Sequence, residues 1–266
     1  MKLDFKKIYQ EEHLKNGLSY KEIKDKYNIS RGTWDYHIRL KLKLPNDGRK
    51  YRVNDSFFSK IDSEIKAYLL GFLYADGYLT NDGRIGINLN RKDEEVVKLI
   101  QQYICPNNII EYTNHQNIKR DPQVVLRFMS KQMYLDLVEL GFTLDKTNTE
   151  SDIFTKVPNE LKSHFIRGFC DGDGSIRCDK VKNHYKMSVV FVNGSRKILD
   201  DIDLFLTTNQ GTKSDLKTYH KLSYGKQRLV KNVIDIIYKN SNFFLKRKFH
   251  IANKIKNLSS NIELTK

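Results

Sequence analysis

Two stretches of the chain are apolar over nearly a full helix length and end alike. Tyr68–Gly77 (YLLGFLYADG) is apolar up to its penultimate residue, and Phe165–Gly174 (FIRGFCDGDG) is apolar apart from Arg167 and its aspartates. Each run predicts a buried helix, and each is followed by segments with strand character. In the first stretch of chain these are Arg84–Asn90, Ile109–Asn114 and Val124–Met129; in the second they are Lys186–Val192, Ser214–Tyr219 and a short run near Leu222. Alternation in Arg84–Asn90 and Val124–Met129 predicts strands with one wet face. Helical periodicity follows the first long strand each time, over Asp93–Ile104 and Ser195–Leu206, and returns over Met133–Leu140 and Arg228–Tyr238. Order and spacing match through both stretches, which predicts a duplicated α+β unit.

This pattern divides the chain into four zones. Residues 1–45 read as short helices, 46–62 as a polar linker with a Pro and a Gly, 63–150 as the first unit and 151–258 as the second.

Within the two apolar runs, Gly71 and Ala75 lie four apart, as do Gly168 and Gly172. Small residues at that spacing share a helix face and let two backbones approach. Gly77 and Gly174 suit the left-handed position that ends a helix. Asp76 and Asp173 then fall in the last turn, where the helix dipole is already negative. If the helices pair face to face, the carboxylates also converge and repel. A divalent cation would relieve both penalties, and hard oxygen ligands suit magnesium.

Composition narrows the partner. Among 266 residues, 47 Lys and Arg outnumber 32 Asp and Glu, leaving a formal net charge of +15. Such a surplus suits a polyanion, because each phosphate contact releases a counterion. The cysteines Cys105, Cys170 and Cys178 form no C-x-x-C pair, so neither a zinc site nor a disulfide framework is indicated and a reducing compartment fits. Residues 1–10 have no apolar run like that of a signal peptide, and nowhere do about 18 apolar residues run together as a membrane span needs. An intracellular, non-secreted protein with no membrane partner is expected.

The runs LLGFLYADG (Leu69–Gly77) and IRGFCDGDG (Ile166–Gly174) resemble the two LAGLIDADG motifs of single-chain homing endonucleases. The resemblance extends over residues 63–258 and includes FIRGFCDGDGSIR (Phe165–Arg177) and LKRK (Leu245–Lys248). It implies two αββαββα units whose motif helices pack at a pseudo-two-fold axis, each antiparallel sheet forming a saddle for a DNA major groove. It also implies a monomer that hydrolyses both strands of double-stranded DNA with Mg2+ or Mn2+. The metal-binding acids would be Asp76 and Asp173, with the carbonyls of Ala75 and Gly172 as further ligands. The sixth motif position is Tyr74 in one run and Asp171 in the other. Basic residues that position water and phosphate are expected after the first long strand of each unit. Lys92 fills that place in Asn90-Arg91-Lys92; Arg196 is the counterpart in Asn193-Gly194-Ser195-Arg196, where Gly194 stands in the expected place. Lys146, Lys246 and Lys248 are further basic residues for phosphate.

Base-reading side chains are expected on the wet sheet faces, Arg84, Asn88 and Asn90, then Arg127, Lys186 and Ser188, with Arg91 a further DNA contact just after the first long strand. With one helical turn per unit, the site would span about 20 base pairs. A one-residue error in facing would exchange the whole set.

Near the N-terminus, Ser19 can cap a helix over Tyr20–Tyr27, Asn28 breaks it, and Ser30 can cap a second helix to about Leu40. Ile23, Tyr27, Ile29, Trp34 and Ile38 would form a small core. The pattern resembles a helix-turn-helix, in which Arg31, Thr33, Tyr36, His37 and Arg39 would contact DNA. Two other readings share the scaffold: a non-cutting DNA-binding regulator, and a maturase that binds intron RNA. The presence of both Asp76 and Asp173 favours cutting.

Overall fold

The computed structural model describes residues 3–16, 18–43, 51–113, 121–144, 150–182 and 184–263. At the N-terminus, α1 (Phe5–Ile8) widens into π-type turns over Tyr9–Lys15. Next come α2 (Tyr20–Tyr27) and α3 (Arg31–Asp35), the latter continuing as π-type turns over Tyr36–Lys41. The first unit is α4 (Glu64–Asp76), β1 (Gly77–Leu79), β2 (Arg84–Asn90), α5 (Glu94–Ile104), β3 (Glu111–Thr113), β4 (Gln123–Met129) and α6 (Lys131–Leu140). After a short α7 (Ile153–Lys156), the second unit is α8 (Lys162–Asp173), β5 (Gly174–Val181), β6 (His184–Asn193), α9 (Arg196–Thr207), β7 (Thr212–Asp215), β8 (His220–Tyr224) and α10 (Gln227–Ile237). A last helix, α11 (Lys246–Glu263), packs on α10 and β5.

The two sheets have one topology. Strand order is β1-β2-β4-β3 in the first and β5-β6-β8-β7 in the second, all pairs antiparallel. The fold is therefore α+β with a duplicated unit, as the repeat predicts. β2 carries the predicted bounds. β1 and β5, directly after the motif helices, were not legible: β1 has three residues, too few to show alternation, and β5 alternates only through Ile176 and Cys178.

The motif helices form the centre. Ala67 to Ala75 are all buried on α4, and Phe165 to Asp171 on α8. A helix apolar on every side must be enclosed, and here each is enclosed largely by the other. Their crossing is backbone on backbone. A Cβ on Gly71 would strike the Phe165 carbonyl oxygen and lie 2.9 Å from Phe169 N; one on Gly168 would strike the Tyr68 carbonyl oxygen and lie 3.0 Å from Phe72 N.

Gly77 and Gly174 correct the expected reason for glycine. Both are extended, with φ −75° and −94°, so no left-handed turn is needed. A side chain is excluded instead by contact: a Cβ on Gly77 would sit 2.6 Å from the Leu73 carbonyl oxygen, and one on Gly174 2.7 Å from Cys170 Cα. The chain leaves each helix straight into a strand folded tightly against its last turn.

Residues 3–43 have a separate core of Ile8, Tyr9, Ile23, Ile29, Trp34 and Ile38. Ser19 forms a reciprocal capping box with Glu22, Asn28 ends α2 in the left-handed conformation (φ 51°), and Ser30 caps α3. Buried Glu12 accepts hydrogen bonds from Lys26 Nζ (2.7 Å), Tyr27 Oη (2.7 Å) and Asn16 Nδ2 (3.1 Å), fastening the first helical segment to α2. Among the described residues no helix is long and apolar enough to cross a membrane.

Two predictions follow from this packing. Gly71→Ala or Gly168→Ala forces the motif helices apart against rigid backbone and should cost at least about 3 kcal/mol, the upper range for overpacking, measured by urea denaturation. The bonds from Lys26, Tyr27 and Asn16 hold the Glu12 carboxyl down at about 2 rather than 4.5. Its stabilisation is therefore complete above pH 4.5 and lost as pH falls through about 2. The single tryptophan, Trp34, lies in this core and reports it: the acid transition of its fluorescence should weaken in Glu12→Gln.

Candidate nucleic-acid interface and acidic centre

At the end of the central crossing, α4 and α8 each terminate in a half-buried aspartate, Asp76 and Asp173. A Cβ on Gly172 would lie 2.5 Å from Ala75 Cβ and 3.0 Å from Asp76 Oδ2. Asp76 of the first unit is thus laid against the backbone residue that precedes Asp173 of the second. The four small residues singled out by spacing do meet, and they bring the two acidic ends together. Among the described residues no cluster of three or more His, Cys, Asp or Glu gathers as a protein-only metal cage. Two carboxylates with neighbouring carbonyls are nevertheless a donor set that suits magnesium, which keeps several waters and takes few protein ligands.

Lys248 supplies positive charge at this point, and its position corrects the expectation of a phosphate-facing surface residue. It is buried, and its Nζ donates to the carbonyls of Cys170 (2.7 Å), Asp171 (2.7 Å), Gly174 (2.7 Å) and Gly172 (3.4 Å). Cys170, Asp171 and Gly172 belong to the last turn of α8, where carbonyls run short of helical partners, and Gly174 opens β5. An ammonium there offsets the negative end of α8. Burial lowers the Lys248 pKa, opposed by nearby Cys170 and the carboxylates Asp171 and Asp76. The Gly172 carbonyl, expected to face a metal, is therefore shared with an ammonium.

Asp171 is part of the scaffold rather than of the acidic pair. It is buried, accepts from Tyr68 Oη (3.0 Å) and Leu245 N (2.7 Å), and burial pushes its carboxyl up to about 6. Tyr74, at the matching position, packs among Phe142, Phe165 and Phe169. Arg167, the lone cation of the second run, is fully buried. It donates to the carbonyls of Phe243 (2.6 Å) and Ile237 (2.8 Å) and to Glu64 Oε1 (2.7 Å) at the start of α4. An unpaired charge there would be severe; with these three bonds it is a tie between the units.

Both sheets turn one face to solvent. In the first, Arg84, Asn88 and Asn90 alternate outward, and Arg127 is opposite Gly86 on that face. In the second, Lys186 pairs with Asp179 and Ser188 with Arg177, again outward. The six side chains expected on wet faces of β2, β4 and β6 do point outward. Several of these groups are already engaged. Arg127 donates to Tyr78 Oη (3.0 Å) and Glu111 (2.8 Å), Asn90 donates to Asp121 (2.8 Å), and Arg84 pairs with Asp82 (3.2 Å). Tyr78, Glu111, Arg177 and Lys221 share these faces without having been singled out. Finding them takes cross-strand register: Tyr78 and Arg177 through β1 and β5, Glu111 and Lys221 through the pairing of β3 with β4 and of β8 with β6.

A duplicated pair of four-stranded saddles around two glycine-packed helices is a known arrangement. The family model described as a LAGLIDADG-like domain matches residues 160–243. The structure resembles I-SmaMI bound to an uncleaved DNA target in the presence of calcium ions, with TM-score 0.53 and 11% identity over 74% of this chain and 92% of that one. It also resembles the LAGLIDADG homing endonuclease I-GzeII in complex with its DNA target (TM-score 0.51, 12% identity, 74% and 92%). A third likeness is the LAGLIDADG meganuclease I-AabMI bound to uncleaved DNA (TM-score 0.50, 12% identity, 74% and 91%). This is the LAGLIDADG fold. No curated protein matches the chain in a sequence comparison.

In LAGLIDADG terms the two halves are unequal in their basic residues. Lys92 is exposed in the single turn Arg91–Asp93 that joins β2 to α5, its amide capped by Asn90 Oδ1 (3.0 Å), and Arg91 lies over the Tyr112 ring. Arg196, its expected counterpart, is bound to Asp200 (3.2 Å) and to Asp215 on β7. That places it at the far edge of the second sheet, and Lys248 is the cation beside the second LAGLIDADG helix end. Lys246 is exposed, and Lys146 lies outside the described residues.

On the N-terminal helices, Arg31, Thr33, Tyr36 and Arg39 are exposed, while His37 is half-buried and stacked on Phe5 at 3.9 Å. Arg31 pairs with Asp35 (3.1 Å), and Thr33 Oγ1 with Ser30 Oγ (2.8 Å).

Lys248→Met should cost about 3 kcal/mol or more, because it removes the buried ammonium that the Cys170, Asp171 and Gly174 carbonyls share. Lys246→Met should stay within about 0.5 kcal/mol, as exposed sites do. Chemical denaturation of the two variants side by side separates the roles.

Proposed function

We propose that this protein is a divalent-metal-dependent endonuclease that acts as a monomer on double-stranded DNA inside the cell and cuts both strands at the α4–α8 crossing. The observation that carries the reading is the meeting of the α4 and α8 ends, which lays Asp76 against Gly172, the residue before Asp173, in a molecule with two sheets of polar outer face. The surplus of +15 charges supports a nucleic-acid partner.

Asp76 and Asp173 would hold Mg2+ or Mn2+, with the Ala75 and Gly172 carbonyls as further oxygen donors. When bound, such a metal activates water and neutralises charge on the phosphate. The chain's own residues do the rest. Lys248 keeps the second helix end from being too negative for a phosphate to approach. Lys92 provides an exposed cation beside the first half. Arg84, Asn88, Arg91, Arg127, Lys186, Ser188 and the newly placed Arg177 line the saddles, which span about 20 base pairs at one helical turn per half. The N-terminal helices add a second contact through Arg31, Thr33, Tyr36, His37 and Arg39, lengthening the site.

With Mg2+, the wild-type chain should cut members of a randomised duplex library. Asp76→Asn or Asp173→Asn should keep binding while lowering cleavage about a hundred- to a thousandfold, the scale for losing one electrostatic contributor. A library that is bound tightly but never cut would sink the nuclease reading in favour of a non-cutting regulator. Deleting residues 1–45 should weaken DNA binding and reduce its salt dependence, measured by fluorescence anisotropy across a salt series. Unchanged affinity and slope would remove the N-terminal helices from the interface.

A further inference from the structure

Each half of the protein ends in a run that reaches across to the other half. In the run Leu245–Lys248, the two outer residues bind the second half and the two inner residues bind the first. The Leu245 amide donates to Asp171 and Lys248 Nζ to the end of α8, both in the second half. The Lys246 amide donates to Glu95 Oε1 (2.8 Å), and Arg247 grips Asp93 through Nε (2.6 Å) and Nη2 (2.8 Å), both in the first half. A second link between the halves is made at Glu150-Ser151. Glu150 Oε2 accepts from Ser195 Oγ (3.0 Å) and from the Lys197 amide (2.9 Å), and the Ser151 amide donates to Ser195 Oγ (3.2 Å). Each half's tail therefore docks on the turn that follows the long central strand of the other half.

The two ties differ in strength. Asp93 is nearly buried, and its contact with Arg247 is a two-pronged ion pair, the strongest geometry available to these groups. Asp93 directly follows Lys92 in a turn pinned by the Asn90 cap and by the Arg91 amide on the Pro122 carbonyl (2.9 Å). The other end of the tie is equally fixed, because Arg247 directly precedes buried Lys248. Between the halves the main contact is the α4–α8 crossing, where glycines put backbone on backbone near one line. A contact so close to the axis has little leverage against rocking of one half on the other. The Asp93–Arg247 tie is a further contact between the halves, made by side chains outside α4 and α8.

We propose that Asp93 is a positioning residue: through Arg247 it locks the Asn90–Lys92 turn of one half to the Lys248-bearing start of α11 in the other, so that both strand cuts occur in one rigid arrangement. The proposal rests on the nuclease reading above.

The test uses the full-length chain, Mg2+ and a supercoiled plasmid carrying a site recovered from the randomised library. The wild type should convert supercoiled plasmid to linear with little nicked circle. Asp93→Asn should accumulate nicked circle, its second cut slowed about a hundredfold relative to its first, as a misplacement of roughly 1 Å produces. Asp93→Glu, which keeps the carboxylate, should restore direct linearisation. If Asp93→Asn does not fold by circular dichroism, Arg247→Gln breaks the same tie and is read in the same way. Without metal or DNA, hydrogen exchange over residues 91–95 and 245–249 should quicken together in either variant. Equal slowing of both cuts, or unchanged exchange in both segments, overturns the proposal. A wild type that cuts neither strand overturns the nuclease reading itself, and the positioning role falls with it.

Discussion

At the centre of the molecule two stretches of main chain lie against each other. Gly71 faces the carbonyl of Phe165 and Gly168 faces the carbonyl of Tyr68, with no side chain between them. Everything that concerns function is downstream of that contact. It fixes the axis about which the halves repeat, and it brings Gly172 beneath Asp76. It also makes the two helices end at the same level, so that the strands leaving Gly77 and Gly174 start two sheets on opposite sides of one line. A methyl group at either glycine would move all of these at once, because close-packed interiors transmit displacement rather than absorb it.

Bringing two helix C-termini together concentrates negative potential, which buried Lys248 offsets from α11, while buried Arg167 ties the halves at the other end of the crossing. Lys248 covers the last carbonyls of α8, and Arg167 joins Glu64 to the loop before α11. Neither would be stable alone in such surroundings; each is saturated with hydrogen bonds. The result is an acidic centre whose supporting shell is cationic and immobile, while its two half-buried carboxylates stay near the surface between the saddles.

The helices, the duplication, the acidic pair and the outward faces of the long strands could all be read from residues. Local periodicity writes them: nine consecutive buried positions in α4, and alternation in β2. Three kinds of feature could not be read. Strands as short as β1 carry too few residues for a period. The roles of Lys248, Arg247 and Arg167 depend on partners about 75 to 155 positions away in the chain, and a lysine in LKRK looks like any solvated cation until the helix end above it is placed. The glycines that close the motif helices were read for conformational freedom, whereas their real constraint is an approaching carbonyl. Both causes leave the same letter in the sequence.

On the first saddle, the Tyr78 ring lies directly over Gly86, so that any side chain at 86 would collide with it, and the Tyr78 hydroxyl in turn holds Arg127. Three neighbouring positions on that face thus form one mechanical unit. If the face reads DNA, its preference there cannot drift one residue at a time. A change at 86 would eject the ring and free the arginine, altering several base contacts in a single step, whereas Asn88 beside them can vary alone. Evolution toward a new site, or deliberate redesign, would then proceed by jumps at one end of the saddle and by gradual adjustment at the other.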